Sequence, residues 1–423
     1  MPSVGIAWRA ACLAALPALG CAIYYSARVA VADSFFRQDT PESLAQAVKA
    51  DPGNAAYHQL FAEHLESLGR NAIQERETAA LLSPLDSHYW IDLGAEAEVH
   101  GDYPAAERYY LKAASVDRKF APRWALMNFY LRRHEEAPFW QWAHKAMEMA
   151  YGDSSEIFRL CWLMTDDKAS IARKIPQTDY LRLEYLRFLM GDGHLDAAVP
   201  VALDAAERAT PSDVNLLLEF CGRAMAVNPE AAMQVWNDLS RRKLLGSTNA
   251  PFARLDPHAG AIVTNGAFAA VPLEMGFDWH LSRSDGVSVS TTAGAGASVE
   301  LTGEQPQAVT VLNQWIPVED GKTYRIEYQY SAEADGPLTA QQASGLAWEI
   351  ENPLTGALLA RGENLKSGVN GATGHVDFKA AGIALAMLSL RYERAPGTVR
   401  REAKFTIQKV ASRLRPVTGT LAP

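Results

Sequence analysis

The sequence lacks the features on which several classes of function depend. Cysteine is scarce, with four residues in 423, and no two of them form a C-x-x-C pair. The chain therefore predicts neither a disulfide framework nor a structural zinc site. An excess of basic charge is also missing, because 40 Lys and Arg residues stand against 49 Asp and Glu residues. We expect no nucleic-acid partner, since binding to phosphates requires a basic surface.

Signatures of catalysis are missing as well. The sequence contains no G-x-S-x-G nucleophile elbow, no phosphate-binding G-x-x-x-x-G-K-[ST] loop and no H-E-x-x-H zinc motif. Neighbouring carboxylates such as Asp166 and Asp167 do not face each other across a substrate when both lie on one helix. The sequence therefore predicts a protein that is not an enzyme, with no catalytic residues, no cofactor and no metal ion.

An uncharged segment near the N-terminus predicts export or membrane insertion. Residues 10–27 carry no charge across 18 positions, about 27 Å of helix, which is close to the thickness of the hydrocarbon layer. One interpretation makes residues 1–32 a single-pass anchor in a bacterial inner membrane, with the bulk of the chain in the periplasm. The alternative is secretion after cleavage near Ala32, because Ala30-Val31-Ala32 has the small residues of a signal peptidase site.

Residues 40–245 contain a helical repeat, because Trp90 and Trp124 lie 34 positions apart. With Trp90 at the fourth place of a 34-residue unit, the small and aromatic positions of that unit fall on Leu93, Gly94, Gly101, Ala106, Tyr110 and Ala113. Units before and after it, and two degenerate hairpins over 180–208 and 212–242, resemble tetratricopeptide repeat proteins. The resemblance implies an α-solenoid that binds a protein partner on its concave face.

After Pro257 the apolar residues alternate with polar ones, which is typical of half-buried strands. The alternation predicts eight strands, over 286–291, 298–302, 308–316, 323–330, 345–351, 375–378, 386–394 and 403–410. Eight short strands without intervening helices predict an antiparallel β-sandwich of jelly-roll type over 258–412. Residues 246–257 are then a linker, and residues 413–423 a flexible tail.

Three motifs connect this sandwich to a known class of domain. Asn265-Gly266-Ala267-Phe268, Gly276-Phe277-Asp278-Trp279 and Gln314-Trp315-Ile316 resemble the galactose-binding-like jelly rolls of carbohydrate-binding modules. The order of anchor, helical repeats and sandwich resembles a group of exported bacterial tetratricopeptide repeat proteins. Members of the sandwich family often place an acidic residue near a structural calcium just after the first motif. Ala269 stands at that position here, so calcium is not predicted.

Sugar binding requires an aromatic platform and planar polar groups that bind hydroxyls. The predicted strands offer such groups, and our candidates for glycan or partner binding are Gln314, Trp315, Arg325, Glu327, Gln329, Glu349 and Arg391. An ordinary solvated sheet face would have the same composition. Trp279 and Trp348 are predicted to lie in the core.

Two functional hypotheses follow. The first is a non-enzymatic envelope scaffold or adaptor, whose helical repeats bind a protein partner and whose sandwich binds a glycan or a partner. The alternative is a structural or assembly subunit of a polysaccharide secretion or processing system, whose sandwich binds no sugar and caps the last apolar surface of the repeats. A fixed interface between the last helices and the sandwich would favour the alternative.

Overall fold

The computed structural model describes residues 3–150, 152–247, 250–333, 344–400 and 402–415. In these ranges the chain forms fourteen α-helices followed by β-strands. The chain divides into two compact units, Met1–Gln177 and Thr178–Pro423. The predicted combination of an apolar N-terminal helix, a helical array and an antiparallel sandwich is confirmed.

The first unit consists of successive helical hairpins, with α1 packed on α2, α3 on α4, and so on in pairs. Its helices are α1 (Ser3–Phe36), α2 (Pro41–Ala50), α3 (Ala55–Ser67), α4 (Ile73–Leu82), α5 (Ser87–Val99), α6 (Tyr103–Val116), α7 (Phe120–Arg132), α8 (Glu136–Met147), α9 (Ser155–Met164) and α10 (Lys168–Lys174). The α9–α10 hairpin was not predicted, because the repeat positions do not recur there. The α1–α2 hairpin was not predicted either, because residues 1–32 were expected to form a separate anchor, whereas the hairpins from α3 to α8 lie where the repeat places them.

The α5–α6 hairpin shows why the repeat needs small residues at fixed positions. A Cβ atom at Gly94 would lie 2.8 Å from the ring of Tyr110, which is itself buried. The helices can therefore approach closely only because Gly94 has no side chain. Gly101 turns the chain between them with a φ of +79°, and the Asp102 side chain accepts a hydrogen bond from Ala105 N at 3.0 Å as the N-cap of α6.

A buried ion pair joins three helices of the first unit. Arg76 on α4 is 6% exposed and Glu96 on α5 is 7% exposed. The Nε of Arg76 donates to Glu96 Oε2 at 2.7 Å, and its Nη2 also contacts Glu66 on α3. The sequence pattern did not identify this pair, because the repeat fixes only apolar and small positions.

The second unit begins with two more hairpins and continues into strands. Its helices are α11 (Asp179–Gly191), α12 (Leu195–Arg208), α13 (Val214–Ala224) and α14 (Pro229–Arg241). Its strands are β1 (Gly246–Ser247), β2 (Ala250–Pro251), β3 (His280–Leu281), β4 (Val287–Thr292), β5 (Gly296–Thr302), β6 (Ala308–Pro317), β7 (Thr323–Ala332), β8 (Leu346–Glu351), β9 (Leu358–Arg361), β10 (Val369–Lys379), β11 (Leu385–Glu393) and β12 (Glu402–Leu414).

The strands β3 to β12 form two antiparallel sheets. We call them the β7 sheet, ordered β10-β7-β12-β5-β4, and the β11 sheet, ordered β3-β6-β11-β8-β9. One apolar core fills the space between them and includes Trp279, Trp348 and Tyr324, so the prediction that both tryptophans are core is confirmed. The strands β3 and β9 were not predicted, because two and four residues are too few for alternation to be visible.

The Asn-Gly-x-Phe motif has a packing role in this chain. Asn265 has a φ of +46° and its side chain donates to Ala270 O at 2.9 Å. A Cβ atom at Gly266 would lie 1.9 Å from Val410 O, so only glycine fits beside β12 there. Phe268 is buried and stacks on Trp279 at 5.4 Å. The motif therefore closes one side of the sandwich core.

The predicted linker and tail differ from the structure in part. Within residues 246–257, Phe252 and Leu255 are buried, and the backbone N and O of Leu255 bond to the Asn237 side chain at 2.7 and 2.8 Å. The segment is therefore packed against α14. At the other end β12 extends to Leu414, because its outer residues still pair with β7. Residues 416–423 of the predicted tail lie outside the described residues.

The last helix packs directly against the sandwich through Trp236 of α14. This side chain is 0% exposed, and its ring lies 6.0 Å from that of Phe252 and 5.8 Å from that of Phe277. A Cβ atom at Gly276 would lie 2.7 Å from the Trp236 ring. The second unit therefore contains a closely packed junction between its helices and its sheets.

Candidate binding face of the sandwich

The structure places the predicted site residues on different sides of the sandwich. Arg325, Glu327 and Gln329 lie on β7, at positions that alternate with its buried core residues. The remaining candidates lie in the other sheet, on β6, β8 and β11, and are Gln314, Trp315, Glu349 and Arg391. Because the core separates the two sheets, the seven residues are not brought together into one site.

Gln314 is fully buried on the inner side of β6. Its Nε2 donates to Thr264 O at 3.0 Å, and its Oε1 accepts from Thr264 N at 3.3 Å. Both polar ends of the amide are therefore used to hold the segment that opens the sandwich. This burial leaves no surface of Gln314 for a ligand in the structure.

The charged side chains on the outer surface of the β7 sheet pair with one another. Arg325 binds Asp377 through two hydrogen bonds of 2.6 and 2.7 Å, and Arg415 adds a third at 2.6 Å. The hydrogen bond from Arg325 lowers the pKa of Asp377 below its usual range. Glu327 is paired with Arg413 at 2.6 Å. These pairs have the character of a solvated face, on which the polar groups already have partners.

The outer surface of the β11 sheet contains a buried carboxylate between two arginines. Glu349 is 4% exposed, and its oxygens lie 2.8 Å from Arg361 Nη1 and 3.8 Å from Arg391 Nε. Burial raises the pKa of Glu349, and the two guanidinium groups partly offset that effect. The same Nη1 of Arg361 contacts Glu393 at 2.5 Å. Both arginines remain partly exposed.

Strand register extends this cluster into a continuous polar row across the β11 sheet. The residues that pair in turn from β3 to β9 are His280, Asn313, Ser389, Glu349 and Arg361. In the next row Trp315 pairs with Met387, which pairs with Glu351. We call the outer surface formed by these two rows and Arg391 the Glu349 face. It combines an aromatic ring with planar polar groups, as sugar recognition requires.

The sequence did not predict three residues of the Glu349 face, which are His280, Arg361 and Asn313. His280 and Arg361 lie on the two short strands that alternation did not reveal. Asn313 lies on a predicted strand, at an outward position that alternation indicated, yet nothing in the sequence distinguished it from other outward polar residues. Only the pairing of the strands places it beside Ser389 and Glu349.

A pocket of about 650 Å³ adjoins the Glu349 face at the end where β11 finishes. Arg361 of the Glu349 face lines this pocket together with Glu393. Asn364 Oδ1 and Arg394 Nε are buried there without a hydrogen-bond partner in the described part of the chain. Buried polar atoms are normally hydrogen-bonded to protein, water or a ligand.

A second buried carboxylate, Asp278, lies in the loop before β3. It accepts a hydrogen bond from Leu273 N at 2.7 Å and contacts Asn265 Nδ2 at 3.4 Å. Burial raises its pKa to about 6, although these hydrogen bonds oppose the rise. The carboxyl group holds the loop that contains Phe277, one of the rings in contact with Trp236.

Asp278 is expected to make the second unit less stable as the pH rises from about 4 to about 6. The folded state binds the proton more tightly than the unfolded chain, whose aspartates titrate near about 3.9, so the free energy of unfolding falls over this range by about 3 kcal/mol at most. Denaturant unfolding at about pH 4 and about pH 7 should show a smaller decrease for Asp278→Asn than for the wild type. Equal pH dependence of the two proteins would contradict the assignment.

Comparisons with known proteins give similarities of fold at low identity. No protein family model and no curated protein matches the chain. A solved structure described as CBM4 is 17% identical and covers 36% of this chain and 99% of its own, with a TM-score of 0.27. The pilF protein of Pseudomonas aeruginosa is 15% identical over 48% of this chain and 98% of its own, with a TM-score of 0.30. YrrB, a TPR protein with an unusual peptide-binding site, is 16% identical over 47% of this chain and 99% of its own, with a TM-score of 0.26.

The assignment of helical hairpins and sandwich rests on the geometry of the chain itself. The hairpin contacts, the buried repeat positions and the two sets of strand pairings define both folds without reference to a relative. The similarities to solved structures concern the fold alone. The ligands of those proteins are not assigned to this chain.

Proposed function

We propose that the protein is a non-enzymatic scaffold of the bacterial cell envelope, whose helical hairpins bind a protein partner and whose sandwich binds a glycan on the Glu349 face. The observation on which this rests is the pair of partly exposed arginines around Glu349, on the same sheet face as Trp315 and next to the pocket that Arg361 lines. On the outer surface of the β7 sheet Asp377 also pairs with two arginines, but its side chain is 23% exposed, whereas that of Glu349 is 5% exposed.

Arg361 has N–H donors that are not used by its carboxylate partners, and such donors can bind a ligand. Both carboxylate contacts of Arg361 use Nη1, so Nε and Nη2 remain free of protein partners in the described ranges. A guanidinium group has five N–H donors in a fixed plane. Glu349 holds the two guanidinium groups in place, and their remaining donors are suited to sugar hydroxyl or carboxylate oxygens. Trp315 supplies an apolar surface on which a sugar ring can stack.

The test is calorimetric titration of the full-length chain in detergent with a panel of neutral and uronate-containing bacterial and plant polysaccharides. We expect saturable binding to at least one glycan. Glu349→Gln should weaken it by about 10-fold to about 100-fold, because hydrogen bonds to charged groups contribute about 1.5–3 kcal/mol. Arg325→Ala is the matched control on the β7 sheet and should bind like the wild type.

Two results would contradict the glycan proposal. One is the lack of heat with every glycan in the panel from a folded chain. The other is equal weakening by Glu349→Gln and Arg325→Ala, which would mean that the Glu349 face is not the binding surface.

A second candidate function is favoured by the buried Trp236 junction. We infer that a sandwich fixed to the last helix by Trp236, Phe252 and Phe277 also serves as a structural cap for the apolar surface of that helix. Repeat arrays need such caps, because each hairpin leaves one apolar side uncovered. In a protein that binds no glycan, capping would be the function of the sandwich, within a polysaccharide secretion or processing assembly.

A further inference from the structure

The apolar N-terminal segment and the start of the helical array belong to one helix. Helix α1 extends from Ser3 to Phe36 without interruption. Within the described residues it contains a stretch long and apolar enough to cross a membrane, Ala15–Phe36. The signal peptidase pattern Ala30-Val31-Ala32 lies inside this helix and not in a loop after it.

The end of α1 is also the first helix of the first hairpin. Ala32 is 0% exposed and packs in one cluster with Ala47 and Tyr57. The ring of Phe36 lies 4.9 Å from that of Tyr57. Arg28 donates from Nε and Nη2 to Ala50 O, at 2.9 and 2.6 Å, where α2 ends. The last nine residues of α1 therefore contribute both packing and hydrogen bonds to α2.

Residues 15–27 of α1 are apolar on every side. Their large exposed side chains lie all around the helix and are Leu16, Leu19, Ile23, Tyr24 and Tyr25. A helix that is apolar all round requires an apolar environment on all sides. The bilayer fits this requirement, because 18 uncharged residues match the hydrocarbon thickness, and because Tyr24, Tyr25 and Arg28 have the chemistry of the membrane interface.

We propose that α1 is retained as an uncleaved membrane anchor and that it continues rigidly into the first hairpin, which is thereby held against the membrane surface. The proposal rests on the envelope location in the proposed function. Proteolytic cuts concentrate at exposed loops, whereas the pattern before Asp33 is helical and Ala32 is packed. Cleavage there would remove Ala32 and the Arg28 hydrogen bonds from the hairpin.

The helix also sets the distance between the array and the membrane. From Ala27, the last residue of the uncharged segment, nine residues lead to Phe36. They span about 14 Å of helix, about twice the headgroup layer of roughly 5–8 Å on one side of a bilayer. The first hairpin therefore lies next to the lipid headgroups and cannot move away from them on a flexible tether.

Intact mass of the full-length chain isolated from bacterial membranes tests whether α1 is retained. We expect the mass of the complete sequence and retention in the membrane after alkaline carbonate washing. Ala30→Leu is the matched variant, because Ala30 is exposed and a large residue there blocks the small-residue pattern without disturbing the packed side. Its mass should differ from the wild type by the substitution alone. A wild-type chain that lacks residues 1–32, together with an intact Ala30→Leu chain, would overturn the proposal.

Cysteine labelling tests the bilayer placement independently. Burial raises the pKa of the Cys161 and Cys221 thiols, so neither is expected to react in the folded chain. Cys21 is exposed on α1, and in a Cys12→Ser chain, where it is the remaining cysteine of the uncharged segment, a membrane-impermeant maleimide should label it only after denaturation in detergent. Labelling of Cys21 in intact vesicles would overturn the placement. Intact mass and cysteine labelling do not depend on glycan binding. A retained anchor in a chain that binds no glycan would therefore refute only the glycan proposal and leave the anchor proposal standing.

Discussion

Replacing Trp236 with alanine is expected to lower the free energy of unfolding of the second unit by about 3–5 kcal/mol, the range for truncating a large buried aromatic side chain. The indole is completely buried and contacts the rings of Phe252, in the segment after α14, and Phe277, in the loop before β3. Alanine would leave a cavity at the point where helix and sheets meet. We therefore expect the α13–α14 hairpin to separate from the sandwich at lower denaturant concentration than the sandwich itself unfolds.

Hydrogen exchange measured by mass spectrometry along the full chain would locate this effect. Trp236→Ala should increase exchange in α14 and in residues 250–279 before it does so in the central strands. Trp236→Phe should cost much less, because the indole Nε1 has no hydrogen-bond partner in the described residues and an aromatic ring is kept. Val227→Ala, at an exposed position of the same hairpin, is the control. A Trp236→Ala protein with wild-type stability would show that the junction is not a fixed interface.

Replacing Arg76 with alanine is expected to destabilise the first unit by about 3–5 kcal/mol, because it leaves a buried carboxylate without its partner. Glu96 is almost as buried as Arg76, and the 2.7 Å hydrogen bond between them is the contact that compensates its charge. The loss should appear as a lower midpoint in urea unfolding of the first unit.

The double variant Arg76→Met/Glu96→Met distinguishes the ion pair from simple packing. Replacing both members of a buried pair by apolar residues is often neutral or stabilising, so the double variant should recover most of the stability lost by Arg76→Ala. Arg37→Ala is the control, since its pair with Asp33 is exposed and should contribute less than about 1 kcal/mol. If the double variant is less stable than Arg76→Ala, the interpretation of Arg76 as a charge partner is wrong.

The sequence predicted the hairpins well where the repeat requires a particular residue size. Gly94 and Tyr110 occupy fixed positions of the repeat, at which the two helices of a hairpin come into contact, so the repeat pattern predicts that they touch. Arg76 and Glu96 were not predicted, since a polar pair between helices follows no period. The α9–α10 hairpin was not predicted, because the small and aromatic positions of the repeat do not recur there.

The candidate binding residues show the limit of alternation as a signal. Alternation correctly indicated that Arg325 and Arg391 point away from the core, because successive side chains of a strand point to opposite faces. It could not indicate that they belong to different sheets, since sheet membership depends on which strands pair. The separation of Arg325 from Glu349 is therefore a property of the topology.

The sequence alone determined the apolar helix, the hairpins and the alternating strands, because each depends on the period of hydrophobic residues along a local segment. The tertiary structure decided three further features. Strand pairing placed Arg361 and Arg391 on either side of Glu349, packing buried Trp236 between α14 and the sandwich, and the hairpin with α2 included Ala32 in a folded core. Each of these joins residues that are distant in the chain or lie in separate elements, and such contacts are selected by the fit of whole surfaces and leave no periodic trace in the sequence.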